Sequence, residues 1–91
     1  CGTDNPLEDI EWLKDMKIRY ENNQRLDKIT QYTYNNRRVF LDEGCRFCPD
    51  ALYYVYDCEQ MVICQFGGFA GFNTCPGFLE EATDEQVLYE D

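Results

Sequence analysis

Five of the six cysteines lie between positions 45 and 75, in the stretch CRFCPDALYYVYDCEQMVICQFGGFAGFNTC. A chain of 91 residues buries a smaller share of its surface than a larger domain does, so cross-links add much to its stability. Disulfides form and persist in oxidising compartments. The cysteine content therefore predicts one small exported domain that is stapled by disulfides.

The N-terminal part has the signals of an amphipathic helix. Asn5 is a candidate cap, Pro6 suits the first helical position, and Glu8 occupies the place of a capping-box acid. Apolar side chains then recur at steps of three and four residues: Leu7, Ile10, Leu13, Met16 and Tyr20. Such a stripe predicts a helix that packs on a flat apolar surface.

Two hairpins are expected to form that surface. Asparagine tolerates left-handed backbone, so Asn35 and Asn36 suit a tight turn that pairs Tyr32 with Val39 and Thr30 with Leu41. The second hairpin joins 52–57 to 61–66, and a turn at 58–60 pairs Tyr56 with Val62 and Tyr54 with Cys64. The predicted fold class is α+β, with one helix on an antiparallel sheet of about four strands. A short helix at 78–82 and a last edge strand at 87–89 follow.

The positions of the cysteines in these hairpins limit which sulfurs can meet. Cys58 lies at the second turn, whereas the other candidates lie at or towards the open end of that hairpin, and a bridge needs Cα atoms within about 7 Å. Bridges are expected among Cys45, Cys48, Cys64 and Cys75, with their connectivity left open. Cys58 is left unpaired if Cys1 carries a lipid.

A lipidated Cys1 is suggested by its place as the first residue, which is what a bacterial lipoprotein shows after signal-peptide cleavage. In that case residues 1–4 form a lipidated leader, residues 5–91 form a single α+β domain, and the Cys1 sulfur cannot join a disulfide. Lipid chains would hold the domain on a membrane surface.

Several functional classes are disfavoured by composition. The net charge is −10, and residues 76–91 carry six acids and no basic residue, so binding to nucleic acid is not expected. Arg37 and Arg38 are interpreted as solvated charges at the sheet edge. The chain has no histidine, which removes the usual general base near neutral pH. We expect no catalytic residue, no metal and no cofactor.

Cys45 and Cys48 form a CxxC motif, which has three interpretations. Such a pair can act as a redox dithiol, it can contribute to a zinc site together with Cys64 and Cys75, or it can be a structural bridge. Proline follows the second cysteine, and a second CxxC is missing. These features favour the structural bridge.

The motifs NPLEDIEWLK, ITQYTYNNRRVFL, CRFCPD, YDCEQMVICQFGG and NTCPGF together resemble a family of short uncharacterised lipoproteins from Bacteroides-type bacteria. The resemblance implies export, lipidation at Cys1 and a place at the outer-membrane or periplasmic face of the cell envelope. Gln60 departs from the pattern, because glycine is expected at this place in the turn.

The sequence as a whole predicts a non-catalytic binding module of the cell envelope, with an unknown protein or small molecule as its partner. The candidate contact loops are those around 45–50 and 67–72, and the possible partner-binding residues are Phe69, Phe72 and Asn73. The alternatives are a thiol-disulfide redox protein that uses the CxxC at 45–48, and a small module of the protease-inhibitor kind.

Overall fold

A computed structural model describes residues 1–23, 25–67 and 72–91. The helices are α1 (Pro6–Asp9), α2 (Glu11–Asn23) and α3 (Phe78–Glu81), and the strands are β1 (Lys28–Tyr34), β2 (Arg37–Glu43), β3 (Leu52–Tyr56), β4 (Val62–Gly67), β5 (Phe72–Asn73) and β6 (Thr83–Glu90). The strands form one sheet in the order β5-β4-β3-β2-β1-β6, and every neighbouring pair is antiparallel. The predicted disulfide-linked α+β fold is confirmed. The short helix predicted at 78–82 is α3, the edge strand predicted at 87–89 is part of the longer β6, and the short β5 was not predicted.

The β1–β2 hairpin follows the predicted register. Asn35 and Asn36 have φ values of 53° and 63°, in the left-handed region that asparagine tolerates. Tyr32 pairs with Val39 as predicted, and the Thr30 to Leu41 pair is confirmed as well. This tight turn therefore sets which side chains of both strands point to each face.

The β3–β4 hairpin differs from the prediction after its first pair. Tyr56 pairs with Val62 as expected, but a bulge then places Cys64 opposite Val55 instead of Tyr54. A bulge adds one residue to one strand, and this reverses the faces of the residues beyond it. Cys64 consequently shares a buried cluster with Val55.

Helices α1 and α2 cover one face of the sheet. The buried side chains there are Ile10, Leu13, Met16, Tyr20, Ile29 and Phe40. The predicted apolar stripe is thus confirmed, although the helix is interrupted at Ile10, whose φ of −100° and ψ of 107° are extended. The Asn5 side chain makes no capping hydrogen bond. Its backbone N–H instead donates to the Thr3 hydroxyl, at 3.0 Å.

The opposite face is covered by α3 and the segment before it. The Phe78 ring packs 4.8 Å from the ring of Tyr34 and 5.5 Å from that of Tyr32, measured between centroids. Cys64 and Cys75 belong to the same buried cluster. The sheet therefore separates two small cores. The Cys64–Cys75 disulfide links the segment before α3 to β4.

Candidate functional site

All six cysteines are paired in disulfides, including the four that the sequence predicted to form bridges. Cys45 joins Cys48 and Cys64 joins Cys75, with Cα separations of 5.5 Å and 5.7 Å. Both bridges fall within the group of four that the sequence predicted. The zinc interpretation needs four thiolates at one point, and the structure instead places these sulfurs in two separate disulfides.

The third bridge joins Cys1 to Cys58, with the Cα atoms 5.6 Å apart. The sequence predicted a lipid on Cys1 and, as a consequence, an unpaired Cys58. One sulfur cannot carry both bonds, so the structure differs from that expectation at both residues. Arg38 explains how the leader returns to the sheet, since its Nη1 donates to the carbonyl oxygens of Cys1 and Thr3 at 2.9 and 2.7 Å.

The short connection between β2 and β3 contains the CxxC motif and is the best candidate for a contact site. We call residues Cys45–Asp50 the Phe47 loop. Its chain turns back at once, because the Cys48 N–H donates to the Cys45 carbonyl at 3.0 Å and the disulfide closes the same turn. Cys45 has a φ of 53°, a left-handed conformation that costs energy outside glycine. The turn is thus held in one conformation by a covalent bond and a backbone hydrogen bond.

Hydrogen bonds with two neighbouring segments hold the backbone of this loop. The Cys45 N–H donates to Oδ1 of Asp27, a fully buried residue, at 2.7 Å. The Arg46 N–H donates to the Leu26 carbonyl at 3.3 Å, and the Tyr53 hydroxyl donates to the Arg46 carbonyl at 2.9 Å. Burial raises the pKa of Tyr53, so this donor keeps its proton at neutral pH.

The Arg46 side chain adds a second set of anchors. Its Nε donates to the Leu26 carbonyl at 2.8 Å, and its Nη1 forms an ion pair with Glu90 at 2.9 Å. Its Nη2 donates to the Asp91 carbonyl at 3.2 Å. A guanidinium that serves several acceptors in fixed directions is well ordered. The backbone and the side chain of residue 46 are therefore both fixed, immediately before Phe47.

Phe47 itself points away from the domain. Its side chain is 76 % exposed, the largest exposure of any large apolar residue in the described ranges. The only ring contact with a charged group found there is with Arg46, whose guanidinium carbon lies 5.7 Å from the ring centroid. An aromatic ring on a fixed turn loses little conformational freedom on binding, so the turn suits an anchor residue of an interface.

The surroundings of the CxxC are unlike those of a reactive dithiol. Redox cysteines have a lowered pKa because a helix begins at the first sulfur or a free cation lies beside it. Here Cys45 follows strand β2 in a turn, and the Arg46 cation is already paired with Glu90. Neither of these two features is therefore seen beside Cys45 in the part of the chain that the structure describes.

The second predicted contact loop lies partly outside the described residues. Phe69 lies outside the described residues. Phe72 begins β5 and pairs with Gly67, and Asn73 is exposed with its Oδ1 accepting the Cys75 N–H at 2.9 Å. Because Gly67 lies opposite Leu52, the chain leaves β4 at the same end of the sheet at which the Phe47 loop enters β3.

Sequence reasoning singled out the CxxC but missed Phe47. The available signal was an aromatic residue between two cysteines three positions apart.

Comparison with known families identifies the domain only at the level of its family. A family model described as a domain of unknown function, DUF6970, matches residues 15–91. The chain belongs to this family. The DUF6970 match covers the Phe47 loop and the five cysteines from Cys45 onward. No curated protein and no solved structure matches the chain.

The DUF6970 match contains no information about lipidation or cellular address, so both stay predictions. Within the described residues, no helix has the length and apolar character needed to cross a membrane.

Proposed function

We propose that this DUF6970 domain is a non-catalytic interaction module that binds a protein partner through the Phe47 loop. The observation that carries the proposal is the 76 % exposure of Phe47 on a turn whose backbone is fixed by a disulfide and by its neighbours. Exposing a large apolar ring to water is unfavourable, and burying one contributes about 1.5–3 kcal/mol. A partner that buries this ring gains that energy without having to order the loop.

The proposed place of action is an oxidising compartment of the cell envelope. All six cysteines are in disulfides, a state that persists outside the reducing cytosol. Anchoring through a lipidated Cys1 would exclude the Cys1–Cys58 bridge. The intact mass of protein purified from its native envelope distinguishes the two forms: a lipidated chain carries the added acyl mass and one free thiol at Cys58, and a bridged chain carries neither.

Site-specific photo-cross-linking tests the proposed contact. Benzoylphenylalanine replaces Phe47 in one variant and Met61 in a matched control, since Met61 is also a large apolar residue, 63 % exposed, but belongs to the β3–β4 turn. We expect a discrete cross-linked product in native envelope fractions from position 47 and none from position 61.

A competition experiment completes the test. Unlabelled wild-type domain should suppress the product, and Phe47→Ala should need about 30-fold more protein to do so, which corresponds to about 2 kcal/mol of lost binding energy. Equal products at both positions, or equal competition by Phe47→Ala, would contradict the proposal.

A second candidate function is thiol-disulfide exchange at the CxxC. The observation in its favour is that Cys45 and Cys48 are bridged and both are partly exposed, so a reductant can reach them. The protease-inhibitor alternative gains less support. An inhibitor loop that binds a protease as an added strand has to be extended. The Cys45–Cys48 segment is instead a closed turn.

A further inference from the structure

A second surface lies at the open edge of the sheet, where helix α1 lies beside strand β6. β6 is the last strand in the sheet order, and no strand in the described ranges pairs with the side of β6 that faces away from β1. The groove between the two elements is lined by residues 4–8 on one wall and by Gln86, Val87 and Leu88 on the other. Its volume of about 270 Å³ suits one long side chain better than a drug-sized ligand, which needs about 300–1,000 Å³. We call it the α1–β6 groove.

The lining of the α1–β6 groove combines apolar side chains with carboxylates. Leu7 and Leu88 pack against the core on the helix side of the sheet, and Val87 is 45 % exposed. Asp4 and Glu8 are exposed, and neither forms an ion pair with a residue in the described ranges. Lysine and arginine place an apolar stem on apolar surface and keep a charged end outside it. Such a side chain therefore matches both parts of the lining.

The distribution of charge along the chain favours the same kind of partner. Residues 1–13 contain four acidic residues and residues 76–91 contain six, and neither range contains a lysine or an arginine. The two walls of the α1–β6 groove come from these two ranges. Lys14 and Lys17 follow on α2 but do not line the groove, and Lys17 is paired with Glu21 at 3.7 Å. This edge of the sheet therefore attracts basic segments and repels acidic ones.

The open edge of β6 determines which backbone conformation fits beside the groove. The edge of a sheet presents N–H and C=O groups with which an extended chain can pair. Two bulges interrupt β6, one before Gln86 and one at Leu88, so the pairing is limited to a short stretch. A second copy of β6 is a poor occupant, because this strand contains three acidic residues and no basic one, and like charges on paired strands repel. The occupant that fits is a short, extended and basic segment.

We propose that the α1–β6 groove binds a lysine or arginine side chain from a short extended segment of a protein partner. The methylene stem contacts Leu7 and Val87, and the cation lies beside the carboxylates of Asp4 and Glu8. The backbone of the segment pairs with the open edge of β6. An exposed ion pair is weak by itself, so the apolar contact and the strand pairing supply the rest of the affinity. No residue of the Phe47 loop lines this groove, so the proposal does not depend on that loop.

Titrations of the oxidised protein with synthetic peptides, followed by amide NMR, test this assignment. The probe is a blocked peptide of alternating threonine and lysine. One control peptide has glutamate in place of lysine, and the other keeps the lysines but is methylated at alternate backbone nitrogens. We expect saturable shifts of the amides at 7–8 and 86–88 with the lysine peptide, none with the glutamate peptide, and binding about 10-fold weaker with the methylated one. Absence of saturable binding, or equal binding of the methylated peptide, would overturn the proposal.

Two double variants separate the groove from the general negative charge of the domain. Asp4→Asn/Glu8→Gln should weaken binding of the lysine peptide about 5-fold, since it removes both carboxylates that line the groove. Asp15→Asn/Glu59→Gln removes two exposed carboxylates from outside the groove and should change the affinity less than about 2-fold. Equal losses in the two variants would refute the inference. Concentration-dependent shifts of the amides at 86–88 without any peptide would assign the edge to a second copy of the chain and also overturn it.

Discussion

Removing the buried Cys64–Cys75 bridge should destabilise the domain more than removing the Cys45–Cys48 bridge. The two bridges span 11 and 3 residues, and the chain-entropy relation gives about 3 and about 2 kcal/mol for loops of these lengths. Cys64 and Cys75 are also buried among apolar side chains, so their truncation loses packing contacts in addition. The double variant Cys64→Ala/Cys75→Ala should therefore lose about 3–4 kcal/mol, and Cys45→Ala/Cys48→Ala about 2 kcal/mol.

Urea unfolding under non-reducing conditions measures this difference. Trp12 is the single tryptophan and packs at the helix–sheet boundary, with ring centroids 5.8 Å from Phe40 and 5.5 Å from Tyr56, so its fluorescence reports global unfolding. With a slope of about 1.5 kcal/mol/M, the first variant should shift the midpoint by about 2 M. A larger loss from the Cys45–Cys48 pair, or a loss below about 1 kcal/mol from the buried pair, would refute the reasoning.

Three further predictions concern single residues. Gln60 has a φ of 66°, so Gln60→Gly should raise the free energy of unfolding by about 0.5–1 kcal/mol in thermal melts, and a lower stability would contradict the strain argument. Burial raises the pKa of Asp42, which accepts a hydrogen bond from Tyr20, so ionisation of Asp42 destabilises the fold as the pH rises past its ordinary pKa. Asp42→Asn keeps an acceptor oxygen and should raise the Tm at pH 7 but much less at pH 3, whereas a lower Tm at pH 7 would show that the charged acceptor is needed. Burial and Glu85 raise the pKa of Tyr32 to about 12, so stability should fall between pH 10 and 12, and absorbance titration of Glu85→Gln should show this tyrosine ionising at lower pH.

The features that could be predicted from the sequence were local ones. Asn35 and Asn36 determine a turn by their own backbone preferences, so the β1–β2 register follows directly. The α2 stripe is likewise a repeat within one segment, and its residues are buried as expected.

The features that could not be predicted depend on distant parts of the chain. The bulge in β4 places Cys64 opposite Val55, and the two side chains pack in one buried cluster. The turn residues alone do not determine this register. The Cys1–Cys58 bridge requires the leader to lie beside a turn that is 57 residues away in the sequence. Arg38, which binds the leader, was interpreted from the sequence as a solvated charge. Strand β6 extends over Thr83–Glu90 because it pairs with β1, which is far away in the sequence.

The candidate contact site combines both kinds of information. The CxxC spacing predicted a bridge near the open end of the second hairpin, and the structure contains that bridge. The position of the loop depends on hydrogen bonds of its backbone with Asp27 and Tyr53, which belong to other segments and have no signature in the sequence around the CxxC.

The reduction potential of the Cys45–Cys48 bridge tests most directly whether the Phe47 loop is a fixed contact surface or a redox centre. Equilibration of the folded protein with glutathione and dithiothreitol buffers, followed by thiol alkylation and mass analysis of the peptide that contains Phe47, gives this value. A purely structural disulfide should have a reduction potential below about −300 mV and stay oxidised at the potentials of glutathione buffers. A potential between about −270 and −120 mV, with the fold intact in both states, would contradict the interaction-module proposal and favour thiol-disulfide exchange.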